Sequence, residues 1–348
     1  MSATGSLKRL GFFTRLLDPT NAAERYRLAA EQIVHAEASG FDSAWIAQHH
    51  FDEEEGGLPS PFVFLSYVAA LTRRIRLGTG VVVLPLESPL RVAEDAVVFD
   101  LLSEGRLELG IGTGGNPASF AAFGHDSADR GVIFDRYAAT LRDALAGRAL
   151  QGGGRLYPLA PSLIERLWQA TFSAAGGVRA GAAGDGLMLS RTQPRQKDSP
   201  NASLSDIQDP IIDAYLKALP AGRAPRIVGS RSVFVADSRK EALRYAEIGL
   251  PRIVDRFIAA GHIVEGRTLP ELIATFDVHL GTPDEVIESL SADKVLSRVT
   301  DFAFQVHSVD PPHPLILRSI ELIAEKVAPA LGWAPARRAD LRRRSAAG

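Results

Sequence analysis

The residues of this chain best able to do chemistry are His49 and His50. With Phe51 they close the apolar run Trp45-Ile46-Ala47-Gln48. Imidazoles are costly at the end of an apolar strand, and the C-terminal strand ends are where α/β barrels keep their chemistry. Side chains alternate faces along a strand, so a strand running through both histidines turns only one of them inward. One metal ion would need both ligands on the same side, and no metal site is expected here. Around them lie small and hydroxylic residues. Glycines inside the strand Arg76-Leu77-Gly78-Thr79-Gly80-Val81 fit either a flat ligand against the backbone or a barrel corner that needs small residues. Gly110-Ile111-Gly112-Thr113-Gly114-Gly115 ends a later strand and offers backbone N–H groups, but Pro117 stands where a dinucleotide loop would need its third glycine. Thr171 and Ser173 precede an Ala-Gly-rich helix and could hold a phosphate at its N-terminus or simply cap it. Ser190-Arg191 ends the next strand with a hydroxyl and a guanidinium. His279, His307 and His313 are further candidates for substrate contact.

Strands and helices must alternate to bring these groups together. Leu10 to Leu16 reads as a strand, and Asn21 caps a helix from Ala22 to Ser39 that Gly40 ends. Phe41 to Ala47, Ile75 to Leu84 and Leu107 to Ile111 read as strands. Helices open at Ser60-Pro61 and run from Leu90 to Ser103. The second half is less regular. It has strands at Arg166 to Phe172, Gly186 to Leu189, Arg226 to Val235 and Phe302 to Val306. Its helices lie at Asp209 to Leu219, Ser238 to Ile248 and Leu315 to Val327, with another starting at Thr282-Pro283. Glu265 to Leu280 has no clear pattern. The alternation predicts a parallel sheet with helical crossovers, either a closed barrel or an open doubly wound sheet.

Composition bounds the function. The 348 residues are 46% hydrophobic and 23% charged, with a net charge of −2. That is globular, with no field to attract nucleic acid or an anionic membrane. No cysteine is present, so disulfides and thiolate chemistry are excluded. No stretch approaches the ~20 apolar residues of a membrane span, and the start does not read as a signal peptide. The expected location is cytoplasmic. The helices at 61–72 and 90–103 are apolar nearly all round, which predicts a homodimer through both; cover by an insertion of the same chain is the rival. Residues 1–332 are expected to form one domain. Residues 191–208 are a mobile insertion or lid, and 333–348, with Arg337, Arg338, Arg342, Arg343 and Arg344, a disordered basic tail.

Taken in order, several segments resemble the bacterial luciferase-like flavin-dependent monooxygenases. They are Gly40-Phe41-Asp42, His49-His50-Phe51, Gly78-Thr79, Val83-Leu84-Pro85, Pro89 to Asp95, Leu101 to Arg106, Phe123-Gly124, Gly184 to Ser190 and Gly281 to Glu285. The resemblance implies a TIM (β/α)8 barrel with loop insertions at its C-terminal mouth, and a dimer through the two apolar helices. It implies reduced FMN from a separate flavin reductase, and O₂, oxygenating a small organic substrate through a C4a-peroxyflavin. The residues implied for the cofactor are Thr79, Gly80, Val81, Gly112, Thr113, Thr171, Ser173, Ser190 and Arg191, with a non-proline cis peptide joining Gly80 and Val81. His49 takes the catalytic role at the reactive flavin edge, and His307 is a possible second catalytic or substrate-contacting group. Two departures stand out. Thr113 occupies the place of an arginine in the luciferases proper, and the phosphate-binding serine aligns near Phe172, one residue before Ser173. The alternatives are an F420-dependent dehydrogenase or reductase on the same barrel, and a flavin-binding protein without turnover.

Overall fold

A computed structural model describes residues 8–195, 198–199, 202–259 and 263–334. Ten parallel strands are present: β1 (Arg9–Thr14), β2 (Ser43–Ile46), β3 (Arg76–Thr79), β4 (Val82–Val83), β5 (Leu107–Gly112), β6 (Leu167–Ala170), β7 (Gly186–Leu189), β8 (Ile227–Val235), β9 (Val278–Gly281) and β10 (Asp301–Gln305). The order β1-β2-β3-β5-β6-β7-β8-β10 closes on itself, because Asp301 pairs with Arg9 on one side and Val228 on the other. This is a closed eight-stranded TIM barrel. The two short strands lie off the ring. β4 pairs with the end of β5, and β9 pairs with the second half of β8 after its first half has paired with β10.

Local chemistry accounts for the elements that sequence predicts well. Asn21 accepts from the N–H of Glu24 and starts the helix Ala22–Ala38; Gly40 follows at φ 97°. Thr282 and Glu285 form a reciprocal capping box ahead of Pro283–Ser291. Elsewhere the structure corrects the sequence reading. The helix expected at Asp209 begins at Leu204, inside the predicted insertion, behind a capping box of Ser203 and Asp206. Its Pro210 lies inside the helix. The helix after β8 runs past Pro251 to Ala259. The patternless stretch holds the helix Leu269–Thr275 and β9. Gln196, Lys197, Pro200 and Asn201 of the predicted lid lie outside the described residues. Before them, Arg195 grips both Asp277 carboxylate oxygens at 2.8 Å. The tail boundary also moves. Trp333 is buried, and its Nε1 donates to Asp42 at 2.7 Å. The arginines from Arg337 onward lie outside the described residues.

Two cores form. The larger lies between the barrel and its helices. The smaller fills the barrel with Trp45, Trp168, Met188, Val228 and Ala303, flanked by Phe13, Val81 and Ala170. The Trp45 and Trp168 rings meet edge to face at 5.6 Å. They explain two of the strand glycines, since a Cβ on Gly78 would stand 2.3 Å from the Trp45 ring and one on Gly186 2.1 Å from Trp168. Gly78 therefore makes room for an indole rather than a ligand. The predicted apolar helices, Pro61–Leu71 and Pro89–Leu102, pack inward but also present Val63, Tyr67, Val98, Leu101 and Leu102 to solvent, Val63 being 74% and Leu102 73% exposed. Among the described residues no segment of the same chain covers them.

Candidate active site at the barrel mouth

The interior face can be read from the register. Phe13 pairs with Trp45 and with Gln305, and Gln305 with Ser232. Because Phe13 and Trp45 belong to the interior cluster, Gln305 and Ser232 face inward at the same level. One alternation beyond Phe13 stands Arg15, just past the end of β1. The mouth above the tryptophans thus has two sides. The side from β3 to β6 is lined by Val81 and Ala170. The side from β7 through β8 and β10 to β1 is polar.

β2 ends at Ile46, so His49 and His50 stand in the loop beyond the strand rather than on it. Their surroundings still differ. His50 is buried, its ring edge-on to Phe123 at 4.9 Å. His49 is half-buried, with its backbone N–H on Leu58 O at 3.1 Å and Nδ1 without a partner. It also lines an open cleft of about 330 Å³ with Tyr26, Arg25, Phe51 and Pro59. Burial first, and then the charges of Arg15, His50, Arg191 and Arg256, push its imidazole down to about 3. At neutral pH it carries one proton, on one nitrogen, and can donate and accept at once. Phe51, at φ 60° and 77% exposed, turns the chain out of the site.

Two arginines face this histidine. Arg191 Nη1 donates to Ser232 Oγ at 3.2 Å, and Arg15 Nη2 donates to Glu55 O at 3.0 Å. Among the described residues neither has a carboxylate within ion-pairing distance. Burial, followed by the charge of Arg15, lowers the Arg191 guanidinium to about 9. Buried polar atoms without hydrogen-bond partners occur on or after β7, β8 and β10: Ser230 Oγ and Gln305 Oε1 on the strands, and both amide atoms of Gln193, His307 Nδ1 and Ser308 Oγ beyond them. Buried polar groups are normally bonded, so these atoms are open to water or to a polar ligand. The residues present fit a flat ring with hydrogen-bonding edges and an anionic group.

The other predicted residues are placed as follows. Gly80 and Val81 are joined by a cis peptide, as the resemblance implied. The Thr79 hydroxyl is fully buried, donating to Gly110 O at 2.7 Å and accepting from Gly110 N at 2.9 Å. It staples β3 to β5 where their ladder breaks. Gly112 packs against Val81, and Thr113 Oγ1 reaches only the Gly114 carbonyl at 3.4 Å. Ser173 Oγ accepts from Gly176 N at 3.2 Å, and Thr171 Oγ1 from Ser173 N at 3.1 Å. These hydroxyls sit over the N-terminus of Ala174–Ala182 after β6. Arg191 is directed to β8 instead. The carbonyl of Ser190 accepts from Gln208 at 2.7 Å, and Gln208 in turn holds Arg231. His307 is buried, its Nε2 donating to Asp18 Oδ2 at 3.2 Å. Burial alone would raise the Asp18 carboxyl, but the hydrogen bonds from His307 and Gln32 hold it below the ordinary range. His279 bonds Ser289 and His313 bonds Gln32. Sequence reading missed Arg15, Ser232, Gln305 and Asp18. The alternation Arg9, Gly11, Phe13, Arg15 was the available signal for the first.

Comparison with known proteins matches residues 10–300 to the family described as luciferase-like monooxygenase. The chain belongs to the luciferase-like monooxygenase family. Among curated relatives of this family, the chain is 30% identical to 4-hydroxyprotoasukamycin monooxygenase of Streptomyces nodosus subsp. asukaensis, over 83% of this chain and 82% of that one. Among solved structures, monooxygenase RslO1 of Streptomyces bottropensis superposes with a TM-score of 0.74 at 25% identity, covering 92% of this chain and 99% of that one. The oxygenating constituent of 3,6-diketocamphane monooxygenase of Pseudomonas putida, solved with FMN, gives 0.73 at 19% identity over 93% and 99%, a likeness of fold. A luciferase-like monooxygenase is an oxidoreductase.

Proposed function

We propose that this luciferase-like enzyme uses reduced FMN and O₂ to oxygenate a small organic molecule at the barrel mouth. The observation that carries this is the set of unpartnered polar atoms on or after β7, β8 and β10, with two arginines beside His49 that make no ion pair, above a barrel filled by two tryptophans. When bound, FMN delivered in reduced form by a separate reductase supplies the electrons that activate O₂. One oxygen atom enters the substrate and the other leaves as water. The Gly80-Val81 wall and Gly112 would face the ring, with Thr113 near its polar edge. Thr171 and Ser173, at a helix N-terminus, and the neighbouring Ser190 would hold the phosphate. His49, kept neutral by its surroundings, donates a hydrogen bond through one ring nitrogen and holds or returns a proton through the other. Residues 191–195, with Arg195 held by Asp277, would shield the mouth from water.

His49→Ala tests the role directly. Turnover should fall about 10²- to 10⁴-fold while the unfolding midpoint stays put. If His50→Ala causes that loss instead, the assignment moves by one residue. Parallel titration with FMN and F420 tests the cofactor; binding of F420 alone would replace oxygenation by hydride transfer on the same barrel. The exposed stripe Val63, Tyr67, Leu101 and Leu102 would be covered by a second copy of the chain. Val63→Asp with Leu102→Asp should convert a dimer to a monomer in light scattering; a wild-type monomer at micromolar concentration would end the dimer reading.

A further inference from the structure

Arg15 and Arg191 make no ion pair among the described residues; Glu55 and Asp52 act on Arg15, and Asp277 on Arg191, only at longer range. Three other cations of similar or lower exposure are ion-paired, Arg231 with Asp293 at 2.5 Å, Arg166 with Asp100 at 2.6 Å and Arg195 with Asp277, while Arg25 is met by the carbonyls of Asp18 and Glu53. Arg15 and Arg191 come from the ends of β1 and β7 and reach the same side of the mouth. Arg191 bonds Ser232 on β8, and Gln305, level with Ser232, leaves Oε1 unpartnered while only 1% exposed. Each guanidinium spends one donor on a neutral oxygen and keeps most of its fork free. Planar forks of this kind suit an anion with two oxygens. His49 beside them adds a donor without adding charge. Thr171 and Ser173 stand after β6, with β7 between them and β8, so a phosphate held there leaves Arg15 unengaged.

We propose that Arg15 and Arg191 form a subsite for a carboxylate of the organic substrate, making this enzyme's substrates organic acids. The carboxylate lies between the two forks, with Ser232 and Gln305 at its margin, and fixes the remaining carbon skeleton beside His49. This rests on the monooxygenase reading for calling the ligand a substrate.

The test is binding to the purified full chain without flavin, using benzoate and hexanoate as probes and the matching neutral amides as controls. At least one acid should bind at millimolar concentration or better, about tenfold tighter than its amide. Arg15→Met and Arg191→Met should each weaken it about tenfold, with the unfolding midpoint unchanged, and Arg191→Lys should restore part. In NMR, acid binding should raise the His49 pKa. FMN affinity, measured in parallel, should stay within about threefold in Arg15→Met. Equal binding of acid and amide, or no binding of either acid, overturns the proposal. So does a loss of FMN affinity matching the loss of acid affinity, which would make the arginines a phosphate site. Failure of the wild type to bind FMN while the acid still binds would overturn the flavin reading and leave the carboxylate subsite standing.

Discussion

The two ends of this barrel treat buried charge in opposite ways. At the lower end Glu108, 3% exposed, accepts from Arg76 and from Trp168 Nε1 at 2.7 Å, and Asp301, 2% exposed, pairs with Arg9 at 2.7 Å. Arg226 covers the Trp168 ring at 4.8 Å. Glu108 and Asp301 there are ion-paired, while Arg226 is met by a ring face and the Leu167 carbonyl. At the mouth Arg15 and Arg191 make no ion pair among the described residues, and buried polar atoms on or after β7, β8 and β10 are left without partners. Matched charge, costly to desolvate and strongly destabilising when halved, serves the fold. Unmatched charge lowers stability unless a ligand answers it, and so marks where the ligand goes.

The largest effect that would test this contrast is at the lower end. Glu108→Gln leaves Arg76 without its partner and should cost roughly 3 kcal/mol in chemical denaturation; a cost under about 1 kcal/mol would put the two ends on the same footing. Next comes a pH dependence that belongs to the mouth. Unfolded, His49 takes its proton at the ordinary 6.5; folded, at about 3. Between those values the unfolded chain binds more protons. Stability is full above 6.5 and falls as pH drops toward 3. From pH 7 to pH 5 the loss through His49 should be about 1–2 kcal/mol, and it should vanish in His49→Gln. An unchanged urea midpoint in the wild type over that interval would mean that neither burial nor the neighbouring charges hold His49 neutral. The smallest effect is Arg191→Met. Without ligand, its stability should lie within about 0.5 kcal/mol of wild type or above it. A large loss would mean that Arg191 serves the fold as Arg76 does.

The strand–helix alternation of the first half was legible because its signals are local: Asn21 as a cap, Gly40 at positive φ, Pro61 and Pro89 opening helices. Thr282 with Glu285 was legible for the same reason. The first turn of the helix from Leu204 was missed although its capping box was present, because the polar stretch before Asp209, with Pro194 and Pro200, reads as an insertion. The glycines misled for a different reason. Gly78 and Gly186 make room for Trp45 and Trp168, which are far off in sequence and meet them only through the register. His49 was found from residue type at a strand end, though it stands past the strand. Arg15 and the pairing of Glu108 with Arg76 and Trp168 depend on which strands adjoin, and one sequence does not state that.

The seam that closes the barrel joins β1 to β10, residues 9–13 to residues 301–305. Lys8 tightens it by donating to the carbonyls of Leu296 and Val299 at 2.5 and 2.9 Å. During synthesis the first strand therefore waits with an open edge until almost the whole chain has emerged. A nascent chain stopped short of residue 301 would hold an unclosed sheet, with Arg9 lacking Asp301 and a free strand edge open to other chains.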